Sequence, residues 1–158
     1  MYKRWPVQSW VVLIERLVKL HLCEIVVIGG PKEGAILQEI AERSLFHDNV
    51  RFTISTFDEL VAYTAACEVF IGLDSGPMNL AVCLGKRTLA LFGPGDSYAW
   101  RPYGTNNRFI HYQEEFWCNP CFQRKCYFAE KNCMSNITVS DVETAVNQLL
   151  LLGERGNA

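Results

Sequence analysis

Apolar and polar positions follow two rhythms along this chain. Between Pro6 and His21 the apolar residues Val7, Trp10, Val11, Ile14, Leu17 and Val18 fall at the spacing of one helix face. Pro6 suits the first turn of that helix, where no amide donor is needed. Ile25 to Ile28 is a short all-apolar run closed by Gly29-Gly30, the pattern of a strand buried in a parallel sheet. Lys32 to Leu45 reads as a helix and Val50 to Ile54 as a strand. Thr56 with Glu59 forms a capping box, which predicts a helix from Phe57 to about Cys67. A strand at 69–73, a helix from Pro77 and a strand from Thr88 to Phe92 complete the regular part. Strands separated by helical segments mean βαβ units, hence an α/β fold with a parallel sheet and right-handed crossovers.

From Gly93 to about Asn136 the rhythm stops. This stretch is rich in aromatics, Gly, Pro and Cys and is expected to be irregular. A stretch of that length inside a domain needs something to tie it down. Ser140 with Glu143 reads as a second capping box, opening a last helix through about Leu152, with a frayed end from Gly153. An α/β unit normally opens on a strand, whereas this sequence opens on a helix. A first strand is therefore expected ahead of Lys3, with this chain as a fragment.

Ligands of such sheets sit beyond the carboxyl ends of the strands. Gly29-Gly30, Asp74-Ser75-Gly76 and Gly93-Pro94-Gly95 all follow predicted strand ends and share that edge. The run Asp74-Ser75-Gly76-Pro77-Met78-Asn79 is the most informative. A hydroxyl, a glycine and a proline at a strand-to-helix turn leave backbone N–H groups free at a helix N-terminus, a geometry that holds phosphate. Asp and Ser also serve as plain N-caps. The strand-end position, and Gly76 allowing close backbone approach, favour an anionic ligand such as a nucleotide diphosphate. Gly29-Gly30-Pro31-Lys32-Glu33-Gly34 is not the dinucleotide fingerprint. Its Glu33 is either a carboxylate stabilised by a helix dipole or an acceptor for ribose hydroxyls. Lys3 is either part of a solvated basic end or the counter-charge of a phosphate.

The 158 residues suit one domain, and a net charge of −2 excludes a basic nucleic-acid-binding surface. No apolar run is long enough to span a bilayer. The first residues carry no secretory signal, which makes the cytoplasm the expected location. Of the seven cysteines, Cys23, Cys67 and Cys83 fall singly in apolar segments and are expected to be buried free thiols. Cys118-x2-Cys121-x4-Cys126-x6-Cys133 could bind zinc tetrahedrally or an iron–sulfur cluster. The spacing is not that of a standard zinc ribbon, and reduced thiols or one or two disulfides are the alternatives. His21, His47 and His111 have no neighbouring nucleophile in sequence and are expected to be structural or at the surface. No Ser-His-Asp, His-Glu-x-x-His or Walker pattern is present.

Taken together, these motifs resemble glycosyltransferase family 9, the ADP-heptose:lipopolysaccharide heptosyltransferase family. The resemblance runs through Lys3-Arg4-Trp5-Pro6, Ile28-Gly29-Gly30-Pro31-Lys32-Glu33 and Asp74-Ser75-Gly76-Pro77-Met78-Asn79-Leu80-Ala81. It continues in Leu91-Phe92-Gly93-Pro94, Trp100-Arg101-Pro102-Tyr103 and the four-cysteine stretch ending Cys133-Met134-x-x-Ile137-Thr138. Six motifs in order cover nearly the whole chain.

The resemblance implies a GT-B fold of two Rossmann-like halves, with residues 1–158 as the C-terminal, nucleotide-sugar-binding one and 93–136 an irregular segment within it. Lys3 would contact the donor diphosphate and Glu33 the ribose, while the backbone of Ser75 and Gly76 would hold the diphosphate on a turn shaped by Asp74. Asn79 would also face the donor. It stands where heptosyltransferases usually carry His, and it can donate a hydrogen bond but cannot become a cation.

The implied reaction is inverting transfer of heptose or a related sugar from an ADP-sugar to the lipopolysaccharide core, without a cofactor. It would take place at the inner face of the inner membrane, with any membrane association belonging to the full protein. Such transfer needs a general base, which the family places in the N-terminal half. No catalytic residue is therefore expected in this chain, which alone should be inactive. A GT-B sugar-nucleotide epimerase and a non-catalytic, metal-stabilised nucleotide-binding module are the other readings.

Overall fold

The computed structural model describes residues 3–21, 23–45, 48–118, 121, 125–128 and 131–156, with the backbone alone at 113 and 153–156. Helix α1 (Val7–His21) leads into strand β1 (Ile25–Gly29), α2 (Gly34–Arg43), β2 (Val50–Ile54) and α3 (Phe57–Ala66). Then follow β3 (Val69–Leu73), α4 (Gly76–Cys83), β4 (Arg87–Phe92), α5 (Ser97–Trp100), β5 (Arg108–His111) and α6 (Val139–Gly156). The predicted strands all form, and every strand pair is parallel.

Each strand shows its facing in its burial. Leu89 and Leu91 of β4 enter a core with Leu13 and Leu17 of α1 and Val142, Val146 and Leu149 of α6. The alternate residues Ala90 and Phe92 pack on the opposite face, against Met78 and Val82 of α4. Side chains of a strand point alternately to its two faces, so a strand covered on both sides must be apolar throughout. That is why 88–92 contains no charged residue. A third cluster joins Val11, Ile14 and Val18 of α1 to Ile40 of α2 and Val50 of β2.

The strands fall into two sheets, β1–β2 and β3–β4–β5. The first pairs Ile25 with Val50 through to Gly29 with Ile54. In the second, Val69 lies opposite Arg87 and Leu89 opposite Arg108. No ladder hydrogen bonds join β1 to β3 among the described residues. They nevertheless share a core, because Ile25 of β1 and Val69, Ile71 and Leu73 of β3 all pack on the same cluster.

The N-terminal segment is fixed by Trp5, which is only 1% exposed. Its indole Nε1–H donates to the Ile137 carbonyl at 2.9 Å, and its ring meets Trp10 edge-on at 4.9 Å. This anchor ties the residues before α1 to the turn before α6.

Several boundaries differ from the sequence reading. The first capping box forms as expected, with the Glu59 carboxylate accepting from the Thr56 amide at 2.8 Å and the Thr56 hydroxyl accepting from the Glu59 amide. The second box is not Ser140 with Glu143. The Thr138 hydroxyl accepts from the Asp141 amide, and the Asp141 carboxylate accepts from the Thr138 amide at 2.9 Å. Asp at the third position supplies the same reciprocal acceptor as Glu, so the helix begins earlier. Glu143 instead pairs with Arg16 of α1 at 2.9 Å. Helix α6 also continues to Gly156 where fraying from Gly153 was expected.

The stretch 93–136 is not wholly irregular: it holds α5, β5 and a short turn of 3-10 helix at Gln113–Glu115. Cys23 and Cys67 are half-buried free thiols, whereas Cys83 is exposed, at the last turn of α4. Its place in an apolar run did not put it in the core.

Candidate functional site

The carboxyl end of β3 delivers Asp74, whose backbone N–H extends the ladder by donating to the Leu91 carbonyl at 3.3 Å. Ser75 then stands at the N-cap position of α4, and Pro77 occupies the first turn. A serine here would normally cap the helix with its hydroxyl. This one does not: its Oγ donates to the Leu73 carbonyl at 3.1 Å, and among the described residues no side chain is seen to cap α4. The first-turn amides therefore meet no acceptor from Ser75, and the positive end of the helix dipole is left for another anion. Asn79 is exposed one turn further on, four residues from Ser75 and on its side of the helix.

Lys3 reaches this turn from the other end of the sequence. Its ammonium donates to Asp74 Oδ2 at 2.7 Å, with the carboxylate side chain 14% exposed and the lysine side chain 34% exposed. The two groups line a cavity of about 300 Å³ together with Gly95, Asp96 and Trp100. Gly95 is needed for close approach: a Cβ there would overlap Asp74 Oδ2 and sit 3.0 Å from its Cγ. Asp96 turns its carboxylate to the amides of Tyr98 and Ala99 at 2.9 and 3.1 Å, capping α5. Trp100 remains 61% exposed, a flat apolar face at the rim.

Glu33 is not brought onto this cavity. It sits at the N-terminus of α2, where its carboxylate accepts the Gly30 amide at 2.9 Å and closes a tight turn after β1. A side chain at Gly29 would press on Ile54 at 3.1 Å and on Glu33 at 3.3 Å, so glycine lets the helix begin this close to the strand end. Glu33 thus stands at the carboxyl edge of one sheet, and the Lys3–Asp74 pair at the same edge of the other.

The four clustered cysteines, Cys118, Cys121, Cys126 and Cys133, line a second and much smaller cavity of about 20 Å³. All four are half-buried, and the Cys126 thiol donates to the Phe128 carbonyl at 3.2 Å. Burial, followed by the neighbouring thiols, pushes Cys133 up to about 11. The same causes raise Cys118. Without a cation Cys118 and Cys133 therefore stand as neutral thiols at neutral pH. Among the described residues no three His, Cys, Asp or Glu side chains stand in metal-coordinating positions.

Of the histidines, His21 bonds Asn147 at 2.8 Å and His111 bonds Ser97 at 3.1 Å, and neither lines the Lys3 pocket. His47 lies outside the described residues. The sequence reading missed the Lys3–Asp74 ion pair and the contribution of Asp96 and Trp100 to the pocket. The signal for these last two was the strand-end position of Gly93-Pro94-Gly95, which places the residues after β4 beside those after β3.

Comparison with known proteins places the chain in a family. The family model of glycosyltransferase family 9 (heptosyltransferase) matches residues 1–132. Lipooligosaccharide heptosyltransferase 2 of Campylobacter jejuni is 26% identical over 155 residues, which is 93% of this chain and 47% of that protein. Lipopolysaccharide heptosyltransferase 3 of Escherichia coli is 28% identical over 156 residues, 95% of this chain and 44% of that protein. The solved ADP-heptose lipopolysaccharide heptosyltransferase II of Escherichia coli superposes with a TM-score of 0.76 at 26% identity, over 97% of this chain and 44% of that one. Escherichia coli heptosyltransferase WaaC, solved with ADP, shares the fold with a TM-score of 0.69 at 20% identity, over 93% of this chain and 40% of that one. The chain spans less than half the length of these relatives. The parallel α/β layers are one Rossmann-like half of a GT-B architecture, and the chain belongs to glycosyltransferase family 9.

Proposed function

We propose that this chain is the donor-binding half of an inverting glycosyltransferase that moves heptose or a related sugar from an ADP-sugar to the lipopolysaccharide core. The observation that carries this reading is the uncapped N-terminus of α4 beside the Lys3 ammonium, at the carboxyl end of β3. A diphosphate placed there gains helix amides on one side and a charge-assisted hydrogen bond on the other. When the glycosidic bond to the donor phosphate breaks, negative charge grows on the leaving diphosphate. Lys3 and the amides at Gly76 and Met78 are the groups placed to stabilise it, the kind of preorganised electrostatics that dominates many enzymes. Asn79 adds a neutral donor on the same face. Trp100 offers an apolar surface for the base, and Glu33 an acceptor for the ribose hydroxyls.

The proton of the acceptor hydroxyl has to go to a general base. In this reading the base and the acceptor site lie in the N-terminal half of the complete enzyme, so the chain alone binds donor without turning it over. Among the described residues no helix is long and apolar enough to cross a membrane. Attachment to the inner face of the inner membrane would belong to the complete protein.

The direct test is thermal unfolding with added nucleotides. A ligand at about 100 times its dissociation constant adds about 2.7 kcal/mol of stability. ADP and ADP-heptose are expected to raise the melting temperature clearly, and AMP much less, because AMP lacks the second phosphate of the diphosphate this site is proposed to hold. If neither ADP nor the ADP-sugar shifts the transition, the donor-site reading fails.

Gly95→Ala tests the pocket wall. The added methyl displaces the Asp74 carboxylate and so loosens Lys3, while it meets the core residue Phe92 only at an ordinary contact distance of 3.5 Å. Calorimetric titration should show ADP binding weakened by about tenfold, the cost of one misplaced charged hydrogen bond. An unchanged melting temperature without ligand would show that the fold is intact.

A further inference from the structure

The four-cysteine cavity plays no part in donor binding as described, yet its construction is specific. Four separate positions, Cys118, Cys121, Cys126 and Cys133, bring their side chains to one space of about 20 Å³. That volume takes a single water or a single ion, since one water needs about 10–15 Å³ of such space. It is too small for any organic ligand. Phe116 and Phe128, edge-to-face at 4.7 Å, line the same cavity. A water would need several good polar partners, and thiols are weak ones. A soft cation suits sulfur far better.

We propose that this cluster is a zinc site closed by the thiolates of Cys118, Cys121, Cys126 and Cys133. The thiols as they stand do not coordinate. Closure requires the four Sγ atoms to turn inward to about 2.3 Å from the ion. Four S–H bonds break, their four protons pass to solvent, and four Zn–S bonds form without oxidant or reductant. The closed site carries two net negative charges, and Lys125, which also lines the cavity, offsets part of them. The ion would cross-link the stretch between the 3-10 turn and α6, from Cys118 to Cys133. Cys121 and Pro94 line both this cavity and the Lys3 pocket, so the zinc site would form part of the wall of that pocket.

The experiment uses the purified, reduced protein, incubated with zinc chloride, desalted and assayed for metal and for reactive thiols. One zinc per chain is expected, with Cys23, Cys67 and Cys83 reacting with a thiol reagent and the other four protected until a strong chelator is added. Cobalt chloride in place of zinc should give the thiolate charge-transfer and tetrahedral absorption bands, which Cys133→Ser should weaken. If that variant fails to fold, cobalt titration of the unsubstituted protein alone decides. Absence of bound zinc after reconstitution would overturn the proposal. So would iron with inorganic sulfide, or disulfides among the four cysteines mapped in the reduced preparation.

Discussion

Replacing Lys3 with alanine is expected to weaken ADP binding by about 10- to 100-fold, the range of one hydrogen bond to a charged group. In the proposed site Lys3 would do more than attract phosphate, because it also pairs with Asp74 at 2.7 Å. Without the ammonium, a mostly buried carboxylate faces the incoming diphosphate with nothing between them. Part of the loss in Lys3→Ala is therefore repulsion rather than a missing contact. Adding Asp74→Asn to Lys3→Ala removes that charge and should recover part of the affinity, although a further polar group has been altered. Calorimetric titration of ADP at fixed ionic strength, over the wild type, both single variants and the double, measures this coupling. Strictly additive effects would show that the pair does not act as a unit at the site.

Trp5→Ala carries the largest expected effect on stability, about 3–5 kcal/mol, as for other fully buried aromatic side chains. The substitution empties a site that is 1% exposed and removes the edge-on contact with Trp10. It also strips the Ile137 carbonyl of its indole donor. Trp5→Phe separates the two contributions, since it keeps most of the volume and loses the N–H. Its cost should be about 1–3 kcal/mol, that of one buried acceptor left unsatisfied. Denaturant unfolding of both variants provides the comparison. Lys3 lies two residues from this anchor, so Trp5→Ala should also weaken ADP binding at temperatures where the variant is still folded.

Much of the fold could be read from the chain because its signals are local. The all-apolar runs at 25–28 and 69–73 mark strands packed within the sheets, and Thr56 with Glu59 marks a helix start by a bond made within four residues. Strand β5 was not legible. Arg108-Phe109-Ile110-His111 is only four residues long, with polar Arg108 and His111 at its ends, and it becomes a strand only because the edge of β4 is there to receive it. The start of α6 was misplaced because Ser140–Glu143 and Thr138–Asp141 both fit a capping box, and local sequence does not rank them. At the site, the Asp74-Ser75-Gly76 turn was legible as a strand-to-helix junction. The pairing of Lys3 with Asp74 was not, since 71 positions separate them and only the folded chain sets their distance. Asn79 could be located but not interpreted from geometry alone, because an exposed amide one turn into a helix fits many ligands.

The division of the strands into two sheets has a mechanical consequence. Glu33 rides on the β1–β2 sheet, and the Lys3–Asp74 pair stands at the end of the β3–β4–β5 sheet. Among the described residues no ladder hydrogen bonds cross the seam between them, and side chains of one shared core pack across it, the kind of contact that permits small shear movements. In the proposed donor site the span between Glu33 and Lys3 would therefore be adjustable. A nucleotide gripped by both would act as a clamp across the seam, setting that span by its own length.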